Sequence, residues 1–147
     1  MTRRTVRPLG TLTVIAPLGS PGRRPRLEKT IRAAADHGFN VSYWGWRRAS
    51  QEDIGEHLAA ISSRRAILSG GSYGSTLGRL LYPVWTIAVF FRVLITRPRY
   101  VYALGLETAA GVWLASLFTG TKYVFDDADR LLLLFNFPRW FGFLVER

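Results

Sequence analysis

No cysteine occurs in the 147 residues, which excludes disulfides and thiolate metal sites and fits a reducing compartment. Lysine is nearly missing too: Lys29 and Lys122 apart, the 20 basic residues are all arginine. Acids are few, only 10, and the formal net charge is +10. The shortage is sharpest near the start, where Arg3, Arg4, Arg7, Arg23, Arg24, Arg26, Lys29 and Arg32 stand against Glu28 alone. A field of that sign suits phosphate on a nucleotide, a lipid head group or a nucleic acid. Histidine is limited to His37 and His57, neither with a partner at ligand spacing, so no metal centre is expected. No window of about 20 apolar residues is found, so no spanning helix is expected. The nearest, Leu80 to Ile95, is interrupted by Pro83 and Arg92. Arg3 and Arg4 precede an apolar run, but Pro17 cuts it short and no small-residue cleavage site follows. A first β-strand is the better reading than a leader peptide.

The chain is long enough for one domain with a real core, and 48% hydrophobic content argues against disorder. Its opening stretch, Thr11 to Glu28 (TLTVIAPLGSPGRRPRLE), organises the rest. A β-branched run to Ala16 leads into a loop, Pro17 to Arg24. A helix then begins at Pro25, which has no N–H to lose in a first turn. Strand, glycine loop and helix N-terminus together favour anions, because the first N–H groups of a helix are unpaired. The phosphate or substrate contacts expected there are Gly19, Ser20, Gly22, Arg23 and Arg24.

Leu27, Ile31 and Ala34 or Ala35 give the first helix a buried side to about His37, and Gly38 is placed to end it in a left-handed conformation. Phe39 to Trp46 reads as a second strand, making a βαβ unit and hence a parallel sheet. Ser50 to Ser62 reads as a short amphipathic helix or ordered loop, with Ser50 and Asp53 at capping-box spacing. Ala66 to Ser69 is a brief third strand. The Gly70–Gly78 loop has phosphate-loop composition but lacks the lysine before Ser/Thr, which excludes that reading. Leu80 to Thr96 is a nearly all-apolar helix, buried on several faces or touching something greasy. Arg79, Arg92, Arg97 and Arg99 at its ends could snorkel to lipid phosphates or remain solvated. Tyr100 to Leu104, Leu106 to Phe118 and Tyr123 to Phe125 read as strand, helix and strand. The acids Asp126, Asp127 and Asp129 and then Arg130 follow, with a last helix from Arg139 to Arg147.

In a parallel sheet ligands gather at the carboxyl ends of the strands. A nicotinamide cofactor does not fit: Gly19-Ser-Pro-Gly22 is not G-x-G-x-x-G, and no acid ends the second strand to hold ribose. The aspartates could hold magnesium, but carboxylates at a strand end also cap the next helix, and capping is the plainer reading. Nucleic acid is disfavoured as a partner, since the aromatics fall in core elements rather than between basic residues.

The order of segments resembles the N-terminal domain of family 4 glycosyltransferases, two-domain enzymes of the GT-B fold. Pro25-Arg26-Leu27-Glu28-Lys29, His37-Gly38-Phe39-Asn40-Val41 and Gly45-Trp46-Arg47-Arg48 carry the first half of the likeness. Tyr73-Gly74-Ser75, Arg97-Pro98-Arg99-Tyr100-Val101-Tyr102-Ala103, Leu106-Glu107-Thr108-Ala109 and Tyr123-Val124-Phe125-Asp126 with Asp129 carry the second. The resemblance implies a Rossmann-like parallel sheet with helices on both faces, over residues 11–147 after a basic lead-in, 1–10. It implies the acceptor-binding half of an enzyme that moves sugar from a nucleotide-sugar to a sugar or lipid-linked acceptor. Trp46, Arg47, Glu107, Asp126, Asp127, Asp129 and Arg130 would line the acceptor side, and no catalytic base is assigned. Such families often have histidine where this chain has Tyr102, Leu104 and Ala128, so the acceptor-side polar groups differ. The donor-binding half is missing, so this chain alone is expected to be inactive without a second domain or subunit. No cofactor is expected, and the location implied is cytoplasmic, at the inner membrane face if the acceptor is membrane-borne. The alternative is a non-catalytic module that binds an anionic membrane surface or a partner protein.

Overall fold

The computed structural model describes residues 9–18, 24–48, 60–72 and 75–126. Strands β1 (Gly10–Ala16), β2 (Phe39–Arg47), β3 (Ile61–Ser69), β4 (Tyr100–Leu104) and β5 (Lys122–Asp126) alternate with helices α1 (Pro25–Asp36), α2 (Thr76–Thr96) and α3 (Leu106–Thr119). All neighbouring strands are parallel, in the order β3-β2-β1-β4-β5. This is a single Rossmann-like α/β domain. The chain steps one way across the sheet from β1 to β3, then returns past β1 to β4. Right-handed crossovers therefore place α1 on one face and the later helices on the other.

The two faces have separate cores, and strand alternation divides them. Val14, Ala16, Val41, Tyr43 and Leu104 pack with Leu27 and Ile31 of α1. Ile15, Trp44, Trp46, Val101 and Ala103 pack with Trp85, Val89 and Val93 of α2 and Ala109, Val112 and Ala115 of α3. The two later helices touch closely at Gly111, where an added Cβ would lie 2.6 Å from the Thr86 carbonyl oxygen. Two further links lock them: the Trp85 indole N–H donates to Thr108 Oγ1 at 3.0 Å, and Thr86 Oγ1 donates to the Glu107 carbonyl at 3.0 Å. Gly38 takes the left-handed conformation expected after α1, with φ 88°.

Three elements depart from the sequence reading. β3 starts at Ile61 rather than Ala66. Its first half, Ser62-Ser63-Arg64-Arg65, looks like loop in sequence because an edge strand faces water and needs no alternating apolar side. Hydroxyls hold it instead: Ser62 Oγ donates to the Val41 carbonyl at 2.8 Å, and Ser42 and Ser63 share a 2.8 Å hydroxyl pair. The helix or ordered loop expected over Ser50 to Ser62 thus loses its end to a strand; 49–59 lie outside the described residues. The second helix starts at Thr76 rather than Leu80, because Ser75 caps it by accepting the Gly78 N–H at 2.9 Å. Pro83 and Arg92 stay inside it, so α2 is 21 residues long and apolar enough to cross a membrane by length and composition. The expectation that these two residues interrupt the run is not met. The last expected helix, Arg139 to Arg147, lies outside the described residues.

Candidate functional site

All five strands end at one edge of the sheet, and the strand order reverses between β1 and β4. The crevice outside such a switch point is where open parallel sheets bind ligands. Two groups of side chains flank it.

The first is built on Asp126, the last residue of β5. Leu104 and Asp126 are register partners, so Asp126 shares the α1 side of the sheet with Leu104 and Tyr102. Its side chain is buried, and the Tyr102 hydroxyl donates to one carboxylate oxygen. Arg26 Nη2, from the first turn of α1, lies 3.0 Å from the other. Burial, and then the hydrogen bond to Asp126, push the Tyr102 phenol up to about 12, so it stays protonated as a donor. The Asp126 carbonyl accepts the Gly105 N–H at 3.1 Å, which draws the start of α3 against the end of β5. Glu107, the second residue of α3, folds back over Gly105, where an added Cβ would sit 3.1 Å from its Oε1. An acid in this first turn is favoured by the helix dipole. The amino ends of α1 and α3 thus both meet Asp126, the first at its buried carboxylate and the second at its main-chain carbonyl.

The second group sits at the end of β2. Trp46 is wholly buried, stacked on Trp85 at 5.9 Å and 15°, and its indole N–H donates to the Gly70 carbonyl at 2.9 Å. The buried Arg48 guanidinium lies 3.9 Å from the Trp46 ring centroid and donates to the Tyr82 hydroxyl at 3.2 Å. Arg47 is exposed, and its carbonyl accepts the Gly70 N–H at 2.9 Å. The chain leaving β1 is pinned nearby. The Leu18 carbonyl accepts the Tyr43 hydroxyl at 2.8 Å and the Trp46 N–H at 3.2 Å. An added Cβ at Gly45 would come within 2.4 Å of the same oxygen, so this approach needs glycine. Burial pushes the Tyr43 phenol well above its ordinary range.

The structure brings Arg24, Glu107 and Asp126 to this edge: Arg24 is the residue at the amino end of α1, and its carbonyl accepts the Glu28 N–H at 3.0 Å. Trp46 is placed differently from expectation. It belongs to the core behind Arg48 and is not a wall of an open cleft, because its large ring is what fills the space between β2 and α2. Arg47 projects from the same strand end, with β1 and β4 between it and Asp126 on β5. Gly19, Ser20, Gly22, Arg23, Asp127, Asp129 and Arg130 lie outside the described residues. The ion pair of Asp126 with Arg26 and its bond to Tyr102 were not read from the sequence. Strand parity held the signal, since Tyr102, Leu104 and Asp126 share a side once β4 and β5 are neighbours. His37 closes α1, its Nδ1 2.7 Å from the Ala33 carbonyl. Among the described residues no three acids or histidines cluster to hold a metal ion.

No family model and no curated protein matches the chain. Among solved structures, the C-terminal domain of a hydrogenase from Pyrococcus furiosus is similar, with a TM-score of 0.59 and 13% identity. The likeness covers 82% of this chain and 94% of that one. At that identity it concerns the fold: the same class of α/β domain.

Proposed function

We propose that this domain is the acceptor-binding half of a glycosyltransferase of the GT-B type. The observation that carries the reading is the corner at the switch point, where the first turns of α1 and α3 converge on Asp126. The segments forming that corner, Pro25 to Lys29, Leu106 to Ala109 and Tyr123 to Asp126, are among those that resemble the family. Sugar hydroxyls are recognised by carboxylates, amides and guanidinium groups held at fixed positions, and this corner supplies all three. Arg26 and Tyr102 hold Asp126 in place and keep its charge balanced. The half-buried Arg24 and the exposed Arg26 at the α1 amino end would offset phosphate charge on a leaving nucleotide or on a lipid-linked acceptor. The donor half would come from a second domain or subunit.

Calorimetry with nucleotide-sugars and with short saccharides tests the division of labour. The reading expects weak or no binding of the nucleotide-sugar by this chain and measurable heat with an acceptor saccharide. Tight binding of the nucleotide-sugar alone would overturn it. A second reading, a non-catalytic module acting at a membrane or partner surface, is favoured by a different observation: the outer sides of α2 and α3 are exposed and apolar.

A further inference from the structure

α2 buries Trp85, Val89 and Val93 against the sheet and exposes Leu77, Leu80, Val84, Ile87, Phe91 and Ile95. The exposed set recurs every three or four residues, so it forms one continuous stripe along the helix. α3 extends the surface with Trp113, Leu114, Leu117 and Phe118, all exposed. The rings of Phe90 and Phe118, 6.5 Å apart, join the two helices at that end. A contiguous apolar surface of this kind marks an interaction site rather than scattered exposed residues.

Charge identifies the occupant. Between Thr76 and Phe125 the only acid is Glu107, whereas Arg79, Arg92, Arg97, Arg99 and Lys122 are basic. The cations bracket the stripe. Arg79 lies in the first turns of α2, while Arg97 and Arg99 follow its last turn. Lys122 joins them because its N–H donates to the Arg99 carbonyl at 3.0 Å. A cation beside a helix carboxyl end also offsets the dipole, but that accounts for neither Arg79 nor the apolar stripe between. We infer that the outer face of α2 and α3 lies in the surface of an anionic lipid bilayer. The apolar stripe would enter the acyl boundary, and the arginines and Lys122 would reach head-group phosphates. α2 does not cross the bilayer in this arrangement, since its Trp85–Val93 side is committed to the sheet. The inference is independent of the sugar-transfer reading and holds for either proposed role.

The test is co-sedimentation of the full chain with phosphatidylcholine vesicles, with and without phosphatidylglycerol. Binding is expected with phosphatidylglycerol and is expected to fall with salt. The double variant Arg99→Glu, Lys122→Glu should weaken it by roughly fivefold or more per residue. Lys29→Glu with Arg64→Glu changes the net charge equally on the α1 side and should leave most of the affinity. Phe91→Ser with Leu117→Ser, folded by circular dichroism, should abolish binding that survives in high salt. Failure of the folded chain to bind anionic vesicles would overturn the inference. So would equal losses from the two charge variants, which would make the attraction general rather than local. A dimer broken by the Phe91 and Leu117 changes, without lipid binding, would assign the face to a second copy instead.

Discussion

At the residue scale, the molecule depends on a few polar groups whose partners are fixed by burial. Trp85 carries an indole N–H into the α2–α3 core, and Thr108 Oγ1 is its acceptor at 3.0 Å. Thr108→Val keeps the shape and removes the acceptor. It should cost about 1–3 kcal/mol in urea denaturation, the usual penalty for a buried donor left without a partner. The phenols give a pH signature. Tyr102 rises from about 10 to about 12 and Tyr43 rises further, so both favour the folded state in their neutral forms. A group raised on folding contributes stability that is whole below its unfolded pKa and lost as pH climbs through the folded one. Stability should therefore decline from about pH 10 upward, and more gently in Tyr102→Phe than in the parent chain. Thermal melts across that window check this; equal declines would place the alkaline loss elsewhere. Neither phenol's role is legible in the sequence, because each depends on a neighbour 24 or 25 residues away, Asp126 or the Leu18 carbonyl.

At the element scale, helices, central strands and the edge strand β5 were legible, and the first half of the edge strand β3 was not. β1, β2 and β4 are recognisable from β-branched and aromatic runs because both of their faces are covered. β3 is an edge strand, so its Ser-Ser-Arg-Arg half has no apolar alternation to show. The start of α2 was missed for another reason: Ser75 is a good cap, but it sits in a Gly/Ser stretch that has several. α2 and α3 themselves read as greasy without revealing which side is buried, since apolar residues occur all round both. Gly111 resolves their contact. Gly111→Ala would set a methyl 2.6 Å from the Thr86 carbonyl and force the helices apart. A loss of about 1–3 kcal/mol is expected, measured by chemical denaturation. A neutral or stabilising change would show that the helices can separate freely.

At the scale of the whole molecule, the sheet order sets where each kind of chemistry lies. The carboxyl edge holds the corner of Arg26, Tyr102, Gly105, Glu107 and Asp126. The α2–α3 side holds the apolar surface, whose Leu77, Leu80 and Leu106 approach that same edge. The Asp126 and Tyr102 side chains lie on the α1 face of the sheet, opposite the apolar surface, so the two share an edge and not a face. The sequence indicated the edge, through its βαβ rhythm and the acids after the last strand. It did not indicate that Trp46 turns inward, because an aromatic at a strand end serves a core and a binding wall equally well. The central claim is that the Asp126 corner receives a saccharide. Amide chemical shifts of the isotopically labelled chain, followed during titration with short saccharides, test it most directly. The account predicts saturable shifts at Gly105, Leu106, Glu107 and Asp126, lost in Asp126→Asn, with Lys29 and His37 unchanged. Shifts absent from that corner, or unaltered by Asp126→Asn, would contradict it.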